Sequence, residues 1–161
     1  MLVLAVALLA GAGFRFARFF GERAPADGLA YYYDLSERKL FAAPRTSVPP
    51  IRGINDGELD GMRAIVISTS DNPKDKASQK IAYLEKYSTE LKQQLEAMQS
   101  GQESAGPAGS RISRSAAQSF TLVRRLNDET WHAANSPEAE KIMTEWQVGG
   151  PDGKTPVVCA P

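Results

Sequence analysis

The chain has 161 residues, 19 of them basic and 19 acidic, and so carries no net charge at neutral pH. That balance excludes the strongly basic class of nucleic-acid binder, and the length suits one domain with additions. A single cysteine, Cys159, excludes an intramolecular disulfide, and with a single histidine, His132, it falls short of a four-ligand zinc site unless carboxylates or a second chain complete it.

The N-terminal run MLVLAVALLAGAG is apolar and uncharged, and FRFARFF extends it with Arg15 and Arg18 embedded. A spanning helix needs about 20 mostly apolar residues. Residues 1–20 reach that length when both arginines extend to the headgroups. The reading is an N-terminal membrane anchor. Its rival is a cleaved signal peptide, with Leu2 to Leu9 as the apolar stretch and AGA at 10–12 as the cleavage site. Arg15, Arg18 and Arg23 follow the apolar run, so the positive-inside rule places the rest of the chain in the cytoplasm if Met1 is the true start. GERAPADG, residues 21–28, reads as a linker.

LAYYYDLSERKLFAAP, residues 29–44, predicts a hairpin. Tyrosine favours strands, the polar SER supplies the turn, and KLFAA returns. Strand alternation puts Tyr31 and Tyr33 on one face and Tyr32 on the other, so the three do not form one platform. Tyr31 and Tyr33 remain candidate binding residues. Residues 44–61 form a loop with three prolines and three glycines in 18 residues, anchored by Val48, Ile51, Ile54 and Leu59. Within it, Asp56, Glu58, Asp60 and Gly61 mimic the opening of a calcium loop, making those three acids candidate metal ligands. The twelfth position of such a loop is a bidentate glutamate, and here it is Ile67. A solvated acidic turn fits better.

MRAIVIST, residues 62–69, predicts a central strand with Ala64, Val66 and Ile67 deeply buried. The next segment predicts a helix over Lys74–Met98. Asn72 would cap it, Pro73 would start it, and Ile81, Leu84, Leu91, Leu95 and Met98 fall at helical spacing, with a kink or restart at Ser88. Residues 100–110 read as a flexible insert. SFTLVRRL predicts another strand. Ser136 and Pro137 then open a second helix, with Ile142, Met143 and Trp146 on its buried side and Gly149 and Gly150 ending it. Residues 149–161 form a Pro/Gly-rich tail.

His132 is a candidate base without a nucleophile or partner legible in the sequence. Arg124 is a candidate for binding an anion, against the plainer reading of surface charge. Cys159 lies away from any group that would activate a thiolate. No catalytic constellation, cofactor motif or phosphate loop is present in the sequence.

YYDLSERKLF, VPPI, GMRAIVIS, YLEKYS and ANSPEAEKIM together resemble a set of small bacterial single-pass membrane-anchored proteins to which no activity is assigned. The resemblance covers about residues 30–148. It implies, in some members, a terminal cysteine paired with others upstream at a metal or disulfide site. This chain has Cys159 alone.

The expectation is an α+β domain over residues 29–148: a sheet of three to four strands packed against two main helices, behind an N-terminal membrane helix. The expected function is that of a non-enzymatic accessory or interaction protein of the bacterial envelope. It would be held at the cell membrane by residues 1–20 and bind a protein partner, without cofactor or nucleic acid. The alternatives are a small-ligand or ion-binding domain and, third, an enzyme using His132.

Overall fold

The computed structural model describes residues 28–55, 57–101, 112–113, 116–149 and 153–161. The expected membrane helix over residues 1–20 lies outside them. Among the described residues no helix is long and apolar enough to cross a membrane.

The sheet is larger than expected, with seven strands rather than three or four, and it dominates the fold. In chain order the elements are β1 (Leu29–Asp34), β2 (Lys39–Pro44), β3 (Gly61–Ser68), a 3-10 turn (Lys76–Ser78), β4 (Lys80–Tyr87), α1 (Thr89–Gln99), a short α2 (Ala117–Phe120), β5 (Thr121–Arg124), β6 (His132–Ala133), α3 (Pro137–Thr144), a second 3-10 turn (Glu145–Gln147) and β7 (Val157–Val158). The strand order is β2-β1-β3-β4-β5-β6, with β7 paired to β3. Neighbours pair antiparallel throughout.

The predicted hairpin forms, with Tyr31 opposite Ala42, Tyr32 opposite Phe41 and Tyr33 opposite Leu40. Its turn is held by Asp34, which is fully buried and accepts from the Ser36 hydroxyl at 2.9 Å and the Glu37 N–H at 2.8 Å. Arg38 closes the turn at φ 53°, in the left-handed region.

The predicted long helix is the principal correction. Residues 80–87 are strand β4, and the helix starts afresh at Thr89, where the Ser88 side chain caps the Leu91 N–H. The misleading signal has a local cause. Ile65 pairs with Tyr83 and Val66 with Ile81, so Ala82 is an extra residue opposite β3. Such a bulge breaks the two-residue alternation. It brings Ile81 and Leu84 to the same face three residues apart, the spacing of one helical turn. Central placement between β3 and β5 overrides helix propensity. In α1 only Leu91 is buried, and Met98 is exposed.

β3 is the central strand expected, paired on both sides. Met62, Ala64, Val66 and Ser68 are buried, while Ile67, on the opposite face, is only half-buried. Gly61, at its start, sits so close to Ile51 that an added Cβ would lie 2.9 Å from Ile51 Cγ1. The tail also departs from expectation: Val157 and Val158 pair with Ser68 and Ile67, and the Cys159 N–H donates to the Val66 carbonyl at 2.8 Å.

Each face of the sheet carries its own apolar cluster. On one, Met62, Ala64, Val66, Leu84 and Cys159 pack with Tyr31, Tyr33, Ile81, Leu126 and Trp131. On the other, Val123 meets Ala139 and Ile142 of α3, with Tyr83 and Met143 beside them. α3 is the predicted C-terminal helix, with Ser136 capping the Ala139 N–H and Pro137 at its start. Each large apolar side chain buried here contributes about 1.5–3 kcal/mol.

Candidate functional site

The acidic turn is used as a staple. Asp60 Oδ2 accepts from the Ser36 N–H at 3.1 Å, and the Asp60 carbonyl from the Leu35 N–H at 3.3 Å, tying the loop to the hairpin tip. Asp34 reaches back, accepting from the Ile54 N–H at 2.6 Å. Burial opposes ionisation of Asp34, but backbone donors from Glu37 and Ile54 outweigh it and hold its carboxyl below the usual range. Glu58 is exposed, and Asp56 lies outside the described residues. Among the described residues no group of three or more His, Cys, Asp or Glu side chains is placed to hold a metal ion.

Tyr31 and Tyr33 share a face as predicted, and both pack onto the Met62 cluster. Tyr31 donates to Gln79 Oε1 at 3.1 Å. Tyr32, on the opposite face, is fully buried and enters a polar layer that the sequence did not disclose. Its hydroxyl donates to the Ser47 carbonyl at 2.8 Å, and Arg63 Nη2 donates to Tyr32 at 3.3 Å and to the Arg45 and Ser47 carbonyls at 2.9 and 3.0 Å. Arg63 also faces Glu85, with Nη1 3.8 Å from Oε1. Burial pushes the Glu85 carboxyl up, against the attraction of Arg63 and a hydrogen bond from Tyr87. Burial and the Glu85 charge push Tyr83 and Tyr87 up to about 12. These groups occupy matching positions on β1, β3 and β4. They are legible only once register is known, because each is an isolated polar residue within its strand.

His132 stands opposite Val123 in the β5–β6 ladder, half-buried. Among the described residues it makes no hydrogen bond to a carboxylate, hydroxyl or thiol. The structure does not bring it together with Tyr31, Tyr33, Glu58 or Asp60.

Arg124 lies on the Leu84 side of the sheet, opposite Leu84 in β4. Its guanidinium is 4.8 Å from the centroid of Trp131, and the amine of Lys86 is 4.5 Å from the same centroid. Arg124 Nη1 donates to the Asp128 carbonyl, and among the described residues its buried Nε has no hydrogen-bond partner. Burial first, and then the charge of Arg124, holds the Lys86 amine below its usual range. Next door, Arg125 is bound by Glu145 through two hydrogen bonds of 2.6 and 2.8 Å, and by Asp128 and Glu138 at 3.2 and 3.3 Å. Hydrogen bonds to Glu145 raise its pKa, against some loss to burial.

A fourth region is the corner where the described chain begins. Gly28 accepts from the Arg45 N–H at 2.9 Å. β1 pairs with β3 only from Tyr32 onward, so Leu29, Ala30 and Tyr31 stand apart from β3 and leave a cleft of about 300 Å³. Arg45, Arg63, Val158, Cys159 and Ala160 also line it. Leu29 and Val158 are exposed on its lining, and Val157 is exposed next to Val158 in the chain, apolar surface that the reading of residues 149–161 as a plain tail did not anticipate. The Cys159 thiol is buried and its pKa is raised by that burial.

Comparison with models of known families, with curated proteins and with solved structures finds no match. The resemblance to small membrane-anchored bacterial proteins therefore rests on the sequence alone.

Proposed function

We infer that this is a non-enzymatic accessory module that holds a protein partner, close to the membrane that the apolar sequence of residues 1–20 would seek. The observation that carries the reading is the corner formed by Leu29, Val157 and Val158. Leu29 and Val158 are exposed apolar side chains lining one cleft, and Val157, next to Val158 in the chain, is exposed too, at the end of the sheet where the described residues begin. Exposed apolar clusters with a polar rim mark interaction surfaces. Arg45 supplies a charged rim and an orienting donor. A partner seated on this corner would bind close in sequence to the apolar residues 1–20, which suits a tethered module.

The test uses the intact protein extracted from membranes. A partner crosslinked from a photoreactive residue at position 160, on the same cleft, should be lost when Leu29→Ser, Val157→Thr and Val158→Thr are combined, while the melting temperature stays within a few degrees. Equal crosslinking by the triple variant would remove this corner as the contact surface. Release of the full chain by alkaline carbonate would separately remove the tether.

The alternative reading, a small-ligand or ion-binding domain, is favoured by a different observation on the opposite part of the sheet, the paired cations over Trp131.

A further inference from the structure

Lys86 and Arg124 occupy diagonal positions on one face of the sheet, since Leu84 pairs with Arg124 and Lys86 with Leu122. Like charges so placed repel each other, and both are half-buried, where the repulsion is less screened by water. Proteins usually set a carboxylate beside such a pair. Among the described residues neither side chain has one as an ion-pair partner, and the only hydrogen bond of the Arg124 guanidinium goes to a backbone carbonyl. The Trp131 ring offsets part of the charge, by about 0.5–2 kcal/mol per cation. It does not neutralise it.

Beside Arg124 lies an open hollow of about 330 Å³, lined by Tyr33, Leu35, Arg38, Leu126, Asn127, Asp128 and Glu129. Arg38 is exposed and is brought to the hollow by the left-handed turn of the β1–β2 hairpin. The carboxylate of Asp128 is engaged by Arg125. That leaves Glu129 as the opposing charge against Arg124, Arg38 and, over the indole, Lys86.

We propose that this hollow binds a phosphate group, as free phosphate, a phosphorylated small molecule or a phospholipid headgroup. A dianion matches the charge left over by Arg124 and Arg38 with Lys86 behind them. The planar guanidinium of Arg124 has donors to give beyond its single carbonyl contact, and arginine binds tetrahedral oxyanions by paired hydrogen bonds. Lys86 contributes through its field and not by contact. Trp131, touching both cations, reports the event. The inference does not depend on the accessory reading, which concerns the corner at Leu29 and Val158.

The experiment follows Trp131 fluorescence in a Trp146→Phe background of the full chain, at fixed pH and ionic strength. One titration uses inorganic phosphate. Another uses phosphatidylcholine vesicles with and without phosphatidic acid. A saturable change is expected below about 10 mM phosphate. Arg124→Gln and Arg38→Gln should each weaken it about tenfold, as loss of a charge-assisted contact does. Lys86→Gln should weaken it a fewfold and flatten its salt dependence. Response to phosphate identifies a soluble ligand class, and response to phosphatidic acid alone identifies a headgroup. Either supports the site when it depends on Arg124 and Arg38. No saturable response to phosphate or to either vesicle overturns the proposal, and so does binding untouched by both arginine variants. Should Arg124→Gln fail to fold, Arg38→Gln decides, since that side chain is exposed in the hairpin turn.

Discussion

Just past the end of β5, Arg125 is gripped by Asp128, Glu138 and Glu145, while Arg124, the last residue of the strand, meets a second cation, Lys86, over the indole of Trp131. The two faces of the sheet differ in the same way. One is covered by α3, which carries Glu138 and precedes Glu145, so that helix brings both its apolar stripe to Val123 and its acids to Arg125. The other is covered by loop and tail residues, Leu126, Trp131 and Cys159, which bring apolar contact and no matching acid. A chain with no net charge can thus sort its charges by face, leaving one face electrostatically closed and the other open.

The largest test of this contrast concerns the cores beneath the two faces. Val66→Asp sets an unpaired carboxylate on the open side and should prevent stable folding, at a cost of about 3 kcal/mol or more. Leu84→Ala and Ile142→Ala, both at fully buried positions, should each lose about 2–5 kcal/mol in chemical denaturation. Comparable losses would mean that the faces stand or fall together. A nearly neutral Ile142→Ala would make α3 a dispensable cover.

A smaller effect is expected at the hairpin tip. Asp34→Asn removes a charged acceptor of two backbone donors and should cost about 1–3 kcal/mol at neutral pH. Because the folded carboxyl is held below its ordinary value of about 4, its stabilisation is complete above that pH and drains away as pH falls through the folded value. The variant should lack that acid-side slope. A wild-type slope retained in the variant would assign the pH dependence to other carboxylates.

The finest test is the pair itself. Arg125→Gln strands three carboxylates near one another and should lower the melting temperature, more so at low salt. Arg124→Gln removes a repulsion along with a stacking contact, and its change should stay within about 0.5 kcal/mol, with the Lys86 amine returning towards its usual pKa. Equal loss at both positions would erase the distinction between the faces.

Much of this architecture was written locally. The YYY hairpin, the MRAIVIS strand and the Ser136–Pro137 helix start each rest on signals within a few residues, alternation or a cap, and each forms. β4 was hidden because Ala82 is bulged, so Ile81 and Leu84 imitate a helical turn. β7 was hidden because two valines among prolines and glycines become a strand only when β3 offers them a partner. Arg124 was legible as a candidate, but nothing in RR distinguishes it from Arg125. Their difference comes from carboxylates 13 and 20 residues beyond Arg125, and from a lysine on another strand. Arg63, Glu85 and Tyr87 escaped notice for the same reason.

The pairing of β7 with β3 bears on how the molecule is made. Synthesis delivers β3 well before Val157–Val158, so the far end of the central strand waits, unpartnered on that side, until those two valines have followed it out of the ribosome. Contacts of such long sequence separation close slowly. Until Cys159 slots against Val66, the nascent sheet offers an open edge to chaperones or to another chain, and the tail acts as the latch that retires it.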